Sequence, residues 1–370
     1  MRPVPLFCYA AVTKDAAPVC VLRTGRQCRR WGFYGSIKLI STPSNQAMTT
    51  KNQILLYLKE KKGDWVSGEY LSAEIAVTRS AVWKHICKLR EEGYLIESST
   101  KKGYLLSKAP QMLNPEEIRE GLDTKVFGKR DIFYFKEIDS TNTTAIEVAT
   151  QGAPEGTLVV SETQTKGRGR KGRDWFSPLQ EGIYMSLILR PNISPIESSR
   201  ITLLAAVTLA ETLLSLTSLE ITIKWPNDIL VNRRKIAGIL IEIRTEMDAI
   251  NYMVVGLGVN VNTARFPEDL REKATSIFLE TGRPFPRVRL LREFLRWFEK
   301  YYEELRRIGF ESIIKKWKEL SDIIGREIRV EAMDRSYMGT AQDIDNDGVL
   351  ILMDNQGRFH RIFSGDVTYL

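Results

Sequence analysis

The sequence of 370 residues predicts an α+β multidomain protein with three folded parts. Two helical segments around a short turn, followed by a hairpin, indicate an N-terminal winged helix-turn-helix. Strand-like runs between amphipathic helices indicate a central α/β domain with a mixed sheet. Short strands separated by turn residues indicate a C-terminal β-barrel of SH3 type. We place these domains at residues 48–110, 111–322 and 323–370.

The net charge of +8 is distributed unevenly. Residues 1–47 contain seven basic residues and one acidic residue, and residues 48–110 contain eleven basic and seven acidic residues. The remainder, residues 111–370, therefore carries a net charge of −2. We expect a positive surface suited to a phosphate backbone only towards the N-terminus.

Two further features predict a cytoplasmic protein without a membrane partner. Cys87 is the only cysteine after residue 47, which fits a reducing compartment and no disulfide framework. In the most apolar long segment, Ile201 to Leu219, polar residues recur every three or four positions. This spacing is typical of an amphipathic core helix and not of a membrane span.

Residues 1–47 have few acidic residues and scattered Pro, Ser and Arg. One interpretation is a targeting or transit peptide, because such peptides are rich in arginine and poor in acidic residues. The other, which we favour, is an upstream start artefact, with Met48 as the natural first residue. In both cases we expect this extension to be disordered.

The winged helix-turn-helix is predicted from three helices and a hairpin. Helices are expected over residues 49–66, 67–76 and 79–90, and the third has polar and basic residues at its N-terminal end. A hairpin over residues 93–106 carries two lysines at its tip, as a wing would. The alternative is a small helical packing domain with a solvated basic face. The residues predicted to contact DNA are Ser67, Thr78, Arg79, Ser80, Trp83, Lys84, His85, Lys101 and Lys102, although His85 could also pack in the domain.

The segment Gly167 to Trp175 alternates three glycines with four basic side chains. Glycine allows the backbone to approach a ligand closely, and arginine matches carboxylate and phosphate. Such a loop suits two mutually repelling anions, as when a carboxylate attacks the α-phosphate of a nucleotide. Disordered RNA-binding tails also contain Arg/Gly repeats, but this segment lies between strand-like runs at residues 157–160 and 183–189. We therefore interpret it as a structured anion-binding loop.

Four motifs resemble the biotin protein ligase family in their order and approximate spacing. They are GRGRKGRDW at 167–175, KWPND at 224–228, KIAGILIE at 235–242 and GLGVN at 256–260. With the N-terminal segment, the chain is similar over about residues 48–370 to the bifunctional form, which is both biotin ligase and biotin operon repressor. The central part is accordingly expected to be the ligase domain.

The resemblance implies two reaction steps. Biotin and ATP form biotinyl-5′-AMP, with Mg²⁺, and biotin is then transferred to a lysine of the biotin carboxyl carrier protein of acetyl-CoA carboxylase and similar carboxylases. It also implies that biotinyl-5′-AMP is the corepressor, that ligand binding promotes a homodimer, and that the dimer binds biotin operator DNA. No protein nucleophile is required, and with only His85 and His360 outside the motifs no Ser-His-Asp set is possible.

The resemblance also implies residue roles. Hydroxyls and amides can both donate to and accept from the cyclic urea of biotin, and lysine can neutralise a carboxylate and a phosphate. Biotin is assigned to Ser140, Thr141, Asn142, Gln164, Gly167, Arg168, Gly169, Arg170, Trp175, Lys235 and Gly238. The nucleotide is assigned to Arg170, Arg173, Asn227, Lys235 and Asn260. The catalytic residues are predicted to be Arg168, Lys235 and Asp228, with Asp228 contacting Mg²⁺ or steering the acceptor amine.

Several alternatives stay open from the sequence. Ser140 could be an ordinary helix cap, and Lys235 a surface turn residue. Some relatives cover the adenine with an aromatic residue in the segment after Asn260. Here Phe266 is the only aromatic residue within 262–277, so the residue that covers the adenine is undecided. The chain as a whole could be a ligand-sensing DNA-binding protein without catalysis, a lipoate-class ligase, or a ligase whose winged helix is only structural.

Overall fold

A computed structural model describes residues 49–61, 63–109, 111–246, 249–332 and 335–370. The N-terminal extension, residues 1–47, lies outside the described residues, so both interpretations of it stay predictions.

The first domain consists of three helices and a two-stranded hairpin, as predicted. The side chains of Thr49, Ser67 and Thr78 each cap a helix by accepting a hydrogen bond from a backbone N–H. The first helix was predicted to reach residue 66 but ends at Glu60, because Gly63 adopts φ +92° and turns the chain. The elements are α1 (Thr50–Glu60), α2 (Gly68–Glu74), α3 (Arg79–Glu91), β1 (Leu95–Ser99) and β2 (Gly103–Lys108).

The central domain is built on a seven-stranded mixed sheet, which confirms the predicted sheet type. Its strand order is β3-β4-β5-β9-β8-β7-β6, with β3 and β4 parallel and the other neighbours antiparallel. The strands are β3 (Ile132–Phe135), β4 (Leu158–Ser161), β5 (Gly182–Leu189), β6 (Ile221–Lys224), β7 (Asp228–Val231), β8 (Arg234–Glu246) and β9 (Ala249–Asn260). The helices are α4 (Pro115–Arg119), α5 (Thr141–Thr150), α6 (Ser198–Leu216), α7 (Ile277–Thr281), α8 (Arg287–Ile308) and α9 (Glu311–Leu320).

Helix α6 forms the centre of the hydrophobic core and contacts α8 and α9. Within the described part of the chain, Pro195–Leu216 is the one helical segment long and apolar enough to cross a membrane by length and composition. Most of its most apolar stretch is buried inside the protein. A helix that packs against other helices in a protein core is usually rich in apolar residues, so burial accounts for the apolar composition of α6.

The C-terminal domain is a five-stranded antiparallel sheet in the order β13-β12-β11-β10-β14. In the turn at residues 345–348, Asp345 Oδ1 accepts hydrogen bonds from the backbone N–H groups of Asp347 and Val349. This segment is therefore a turn stabilised by its own carboxylate, as predicted. The strands are β10 (Glu327–Glu331), β11 (Ser336–Ile344), β12 (Leu350–Met353), β13 (Phe359–Ile362) and β14 (Asp366–Tyr369), of which β14 was not predicted.

The segment after the hairpin, predicted as a linker over residues 108–115, is anchored to the central domain. Leu113 is fully buried, and its backbone N–H donates to Glu162 Oε1 at 2.8 Å. Arg287 Nη2 lies 2.8 Å from Glu162 Oε2 and donates at 2.6 Å to the carbonyl of Gln111. The Arg287–Glu162 contact is close enough for an ion pair but is not aligned as a hydrogen bond. This buried pair fixes the start of the central domain beside β4.

A buried carboxylate also joins the first two domains. Glu117 Oε1, on α4, accepts hydrogen bonds from Lys59 Nζ at 2.7 Å and from the Tyr94 hydroxyl at 2.6 Å. The backbone carbonyl of Glu117 accepts from Arg292 on α8. Contacts from α1, from the residue that precedes β1, and from α8 therefore meet at this one residue.

Candidate active site

A cavity of about 360 Å³ lies between the glycine-rich loop, residues 167–175, and strands β8 and β9. Its volume falls within the range of small-molecule sites, about 300–1,000 Å³. The structure brings together nearly all of the predicted ligand-binding and catalytic residues around it. Those lining it are Ser140, Thr141, Asn142, Gln164, Arg168, Gly169, Arg170, Arg173, Trp175, Asn227, Asp228, Lys235, Gly238 and Asn260.

Gly167 is the one predicted ligand-binding residue outside this lining. A Cβ on Gly167 would lie 2.5 Å from the carbonyl oxygen of Trp175, so only glycine permits the close approach of the two loop ends. Trp175 N donates to Gly167 O at 2.8 Å, and Gly169 N donates to Arg173 O at 2.6 Å. The glycine-rich loop is thus closed by its own backbone hydrogen bonds, as a structured loop requires.

One end of the cavity is polar and uncharged. Because β3 and β4 are parallel, Thr141 after β3 and Gln164 after β4 lie at the same edge of the sheet. Thr141 donates to Gln164 Oε1 from its backbone N–H at 2.9 Å and from its hydroxyl at 3.1 Å. Ser140 is buried and occupies the N-cap position of α5, as the capping interpretation expects, but its side chain makes no capping hydrogen bond. The arrangement offers both donors and acceptors to a neutral polar ligand.

The opposite wall is apolar and is formed by Trp175. A Cβ on Gly258 would lie 2.5 Å from the indole Nε1, and one on Gly238 would lie 3.1 Å from the ring. The indole therefore lies directly on the backbone of β8 and β9. The role of Gly256 and Gly258 was not predicted, although two glycines at i and i+2 on one strand leave one face of that strand without side chains.

The charged part of the cavity lies at the β7–β8 hairpin. The turn residues are Asn232 and Arg233, both with positive φ, so Lys235 belongs to β8 and is not the surface turn residue of the alternative interpretation. Lys235 Nζ lies 2.7 Å from Asp228 Oδ1 and 5.3 Å from the Trp175 ring centroid. Lysine, carboxylate and indole thus share one side of the cavity.

The glycine-rich loop also contacts the C-terminal domain. Arg173 Nη2 lies 2.5 Å and Lys171 Nζ 3.1 Å from the carboxylate of Asp366. Burial of Asp366 favours its neutral form, but the hydrogen bonds from Arg173 and Lys171 outweigh it and lower the pKa of this carboxyl. Asp366 lines the cavity and was missed, because nothing in the local sequence of β14 relates it to the distant loop.

Arg170 connects this region to the KWPND segment. Its Nη1 donates to Asn227 Oδ1 at 3.0 Å and to the carbonyl of Gly365 at 3.3 Å. Burial lowers the pKa of the Arg170 guanidinium, while the charges of Asp366 and Asp228 raise it. An arginine remains charged at any working pH, so Arg170 presents a partly desolvated cation to an anionic ligand.

Aromatic side chains close the far side of the cavity. Phe176 and Phe266 both line it, with ring centroids 6.1 Å apart. Phe266 was the one aromatic residue considered for covering the adenine, and Phe176, directly after the glycine-rich loop, was missed.

The residues predicted to contact DNA differ in exposure and in the contacts that they already make. Arg79, Ser80, Trp83 and Lys84 are exposed at the start of α3, and Lys101 and Lys102 are exposed at the hairpin tip. Ser67 and Thr78 are exposed and are occupied as helix caps. His85 is half-buried and its Nδ1 has no partner. Burial, followed by the charges of nearby lysines, lowers the pKa of His85, so the imidazole is neutral at pH 7.

Three known domain profiles match the chain in the same order as its domains. The HTH domain matches residues 50–105, the Biotin/lipoate A/B protein ligase family matches residues 134–260, and the Biotin protein ligase C terminal domain matches residues 323–368.

Individual relatives agree with these matches. The bifunctional ligase/repressor BirA of Bacillus subtilis is 39% identical over 321 residues, which cover 86% of this chain and 98% of the relative. The corresponding protein of Escherichia coli is 30% identical over 290 residues, covering 78% of this chain and 88% of the relative. The structure of the biotin protein ligase of Aquifex aeolicus in complex with biotin and ATP superposes with a TM-score of 0.56 at 27% identity, covering 64% of this chain and 97% of that one. The chain therefore belongs to the biotin protein ligase family, among the bifunctional ligase/repressors with an N-terminal helix-turn-helix domain.

Proposed function

We propose that this protein activates biotin with ATP, transfers it to a carrier-protein lysine, and represses transcription from a biotin operator. The observation that carries the proposal is the composition of the cavity between the glycine-rich loop and strands β8 and β9. A neutral donor and acceptor set, an indole wall and five cationic side chains meet there, those of Arg168, Arg170, Arg173, Lys235 and Lys273. Biotin with a carboxylate and a nucleotide α-phosphate would require such a combination.

In the first step, the biotin carboxylate attacks the α-phosphate of ATP, and pyrophosphate leaves. Thr141 and Gln164 face the ureido ring, and Trp175 covers the apolar ring and chain. Lys235, Arg168 and Arg170 offset the repulsion between the carboxylate and the phosphate while the acyl phosphate bond forms. The glycine-rich loop keeps water away from the mixed anhydride. Asn227, Arg173 and Asn260 contact the nucleotide, and Phe266 or Phe176 covers the adenine.

In the second step, the amine of a carrier-protein lysine attacks the acyl carbon of biotinyl-5′-AMP, and AMP leaves with the bonding electron pair. The acceptor is the biotin carboxyl carrier protein of acetyl-CoA carboxylase or a similar carboxylase. Asp228 would accept a hydrogen bond from the incoming amine, and its position 2.7 Å from Lys235 Nζ supports this role.

Mg²⁺ fits this site as an ion carried in by ATP. Among the described residues there is no group of three or more His, Cys, Asp or Glu side chains that could hold a metal alone. Mg²⁺ usually takes one or two carboxylates and completes its shell with phosphate oxygens and water. Asp228 would be that carboxylate, and the ion would neutralise charge on the phosphates.

Repression follows from the winged helix, which presents a basic, exposed helix start and hairpin tip. Biotinyl-5′-AMP is the corepressor, and binding it orders the glycine-rich loop and promotes a homodimer. A two-fold dimer places two recognition helices on a two-fold operator. The domains divide at residues 48–110, 111–322 and 323–370, and the last closes as an SH3-like barrel. We propose a cytoplasmic location and no membrane partner.

The test of the ligase activity is biotin-dependent ATP–pyrophosphate exchange by the full chain, with Lys235→Ala as comparison. Exchange that requires biotin and is lost in the variant supports adenylation at this cavity. Absence of exchange in protein that still binds biotin would refute the ligase and favour a biotin-sensing repressor without catalysis. A separate measurement of operator binding with and without biotinyl-5′-AMP decides between repression and a merely structural winged helix.

A further inference from the structure

Glu242 lies on β8 beside the cavity and contacts two predicted site residues without lining the cavity itself. Its Oε2 accepts a hydrogen bond from Asn142 Nδ2 at 2.8 Å. The same carboxylate accepts from Arg168 Nη2 at 3.0 Å. One side chain therefore joins helix α5, strand β8 and the glycine-rich loop.

Two acceptors determine how the Asn142 amide is turned: the Glu242 carboxylate, at 2.8 Å from Nδ2, and the backbone carbonyl of Leu240, at 3.4 Å. An ionised carboxylate only accepts hydrogen bonds, so Asn142 must direct its NH₂ group towards it. The Asn142 Oδ1 then accepts from the buried Ser186 hydroxyl at 2.5 Å. A Cβ on Gly256 would collide with Asn142 Oδ1, so the amide packs directly against the backbone of β9. The donor and acceptor of Asn142 are thus assigned by partners on both sides.

Arg168 is held by the same carboxylate. The Arg168 side chain is 43% exposed and that of Glu242 is 29% exposed, so their ion pair adds little to stability. An exposed arginine has many accessible rotamers, and pairing with Glu242 selects one that points along the cavity wall. We therefore expect Glu242 to affect the positions of Asn142 and Arg168 and to have little effect on the free energy of unfolding.

We propose that Glu242 is a positioning residue for biotin recognition, an inference that rests on the proposed ligase function. Its carboxylate fixes the amide of Asn142 in the orientation that meets biotin, and it keeps Arg168 beside the cavity. Glu242→Gln retains the size of the side chain but brings an NH₂ group of its own. The variant can turn either its carbonyl oxygen or its NH₂ group towards Asn142, and in the second case Asn142 Nδ2 keeps only the longer contact to the Leu240 carbonyl. The variant also no longer attracts Arg168 by charge.

The experiment compares the full chain with Glu242→Gln and Glu246→Gln. Glu246 is the matched control, because it lies on the same strand and its carboxylate accepts from Asn251 at 3.2 Å. Biotin binding is measured by calorimetry without ATP, and the KM values for biotin and ATP are measured by pyrophosphate exchange. We expect Glu242→Gln to raise the Kd and KM for biotin about tenfold, the value of one hydrogen bond to a charged group. The KM for ATP and the melting temperature stay as in the wild type, and Glu246→Gln changes none of these values.

Two results would overturn the inference. One is biotin binding by Glu242→Gln as tight as that of the wild type. The other is an equal rise of both KM values together with a lower melting temperature, which indicates a structural role. Wild-type protein that binds biotin without exchange would instead refute the ligase function, and the calorimetric comparison would still decide the role of Glu242.

Discussion

The ammonium group of Lys235 lies 2.7 Å from the carboxylate of Asp228, across the β7–β8 hairpin and under the Trp175 indole. In the absence of an anionic ligand, Asp228 is the counter-ion of Lys235. When a carboxylate and a phosphate enter the cavity, the Lys235 ammonium group can turn to them. The Asp228 carboxylate is then free to accept a hydrogen bond from another donor. We propose that this exchange of partners links the two steps of the reaction through Lys235.

Replacement of Lys235 by alanine removes the cation that is placed where charge develops. We expect kcat for biotin-dependent pyrophosphate exchange to fall about 100-fold or more, as for other groups that stabilise a transition-state charge. Lys136→Ala, at an exposed position away from the cavity, is the control and should retain full activity. Activity of Lys235→Ala within a few-fold of the wild type would contradict the assigned role.

A methyl group at position 258 would lie within 2.5 Å of Cε2 and Nε1 of the Trp175 indole. We expect Gly258→Ala to displace the indole, because the strand backbone beneath it cannot move without disturbing the sheet. Overpacking of this kind costs about 1–3 kcal/mol, and it should raise the KM for biotin more than that for ATP. Gly68→Ala, where a Cβ makes an ordinary 3.4 Å contact, serves as the control. Unaltered biotin binding by Gly258→Ala would show that the indole is not the wall of the biotin site.

The carboxylate of Glu162 is expected to stabilise the fold because it neutralises the buried Arg287 guanidinium. Glu162→Gln leaves the Arg287 guanidinium, which is only 2% exposed, without a counter-charge. Breaking a buried ion pair from one side costs about 3–5 kcal/mol, so the variant should unfold at a clearly lower temperature. Scanning calorimetry measures this, with the exposed Glu319→Gln as reference. Equal melting temperatures for both variants would argue that water or a neighbouring group replaces the lost charge.

The exposed start of α3 should carry part of the operator affinity. We expect Arg79→Ala and Lys84→Ala to weaken operator binding, and each lost phosphate contact should reduce the slope of log affinity against log salt by about 1. Pyrophosphate exchange should remain as in the wild type, because both residues lie in the first domain. Fluorescence anisotropy at several salt concentrations provides the measurement, and Lys61→Ala, exposed at the end of α1, is the control. A salt slope identical to that of the wild type would remove both residues from the interface.

The lowered pKa of His85 predicts how the winged helix responds to acid. In the unfolded chain a histidine takes up a proton as the pH falls through about 6.5, whereas the folded protein binds it only at lower pH. The folded state is therefore favoured above this pH and loses stability as the pH falls through it. We expect urea midpoints at pH 7.5 and 5.5 to differ less in His85→Gln than in the wild type. The same difference in both proteins would mean that carboxylates account for all of the pH dependence.

The part of the site that the sequence predicts is the part encoded locally. The glycine-rich loop and the KWPND segment combine unusual residues at fixed spacing, and the structure brings them to one cavity. Asp366 carries no such local signal, because its role depends on a contact with the distant glycine-rich loop. Glu242 ends the KIAGILIE motif, but its contacts with Asn142 and Arg168 join distant segments and could not be predicted from that motif. The end of α1 was misplaced for a related reason, since the helical pattern of the side chains continues past the glycine that turns the chain.

The hydrogen bonds of Lys59 and Tyr94 to Glu117 have a genetic consequence. The Glu117 carboxylate attaches the winged helix-turn-helix domain to the central domain. In the proposed homodimer, the separation of the two DNA-binding domains would therefore be set by the central domains. We therefore expect substitutions at Glu117 to weaken repression, although Glu117 lies outside the predicted DNA-contacting residues. The same variants should still transfer biotin to the carrier protein. A genetic screen for cells that have lost repression but still attach biotin to the carrier protein should yield substitutions at Glu117 as well as at the DNA-contacting residues.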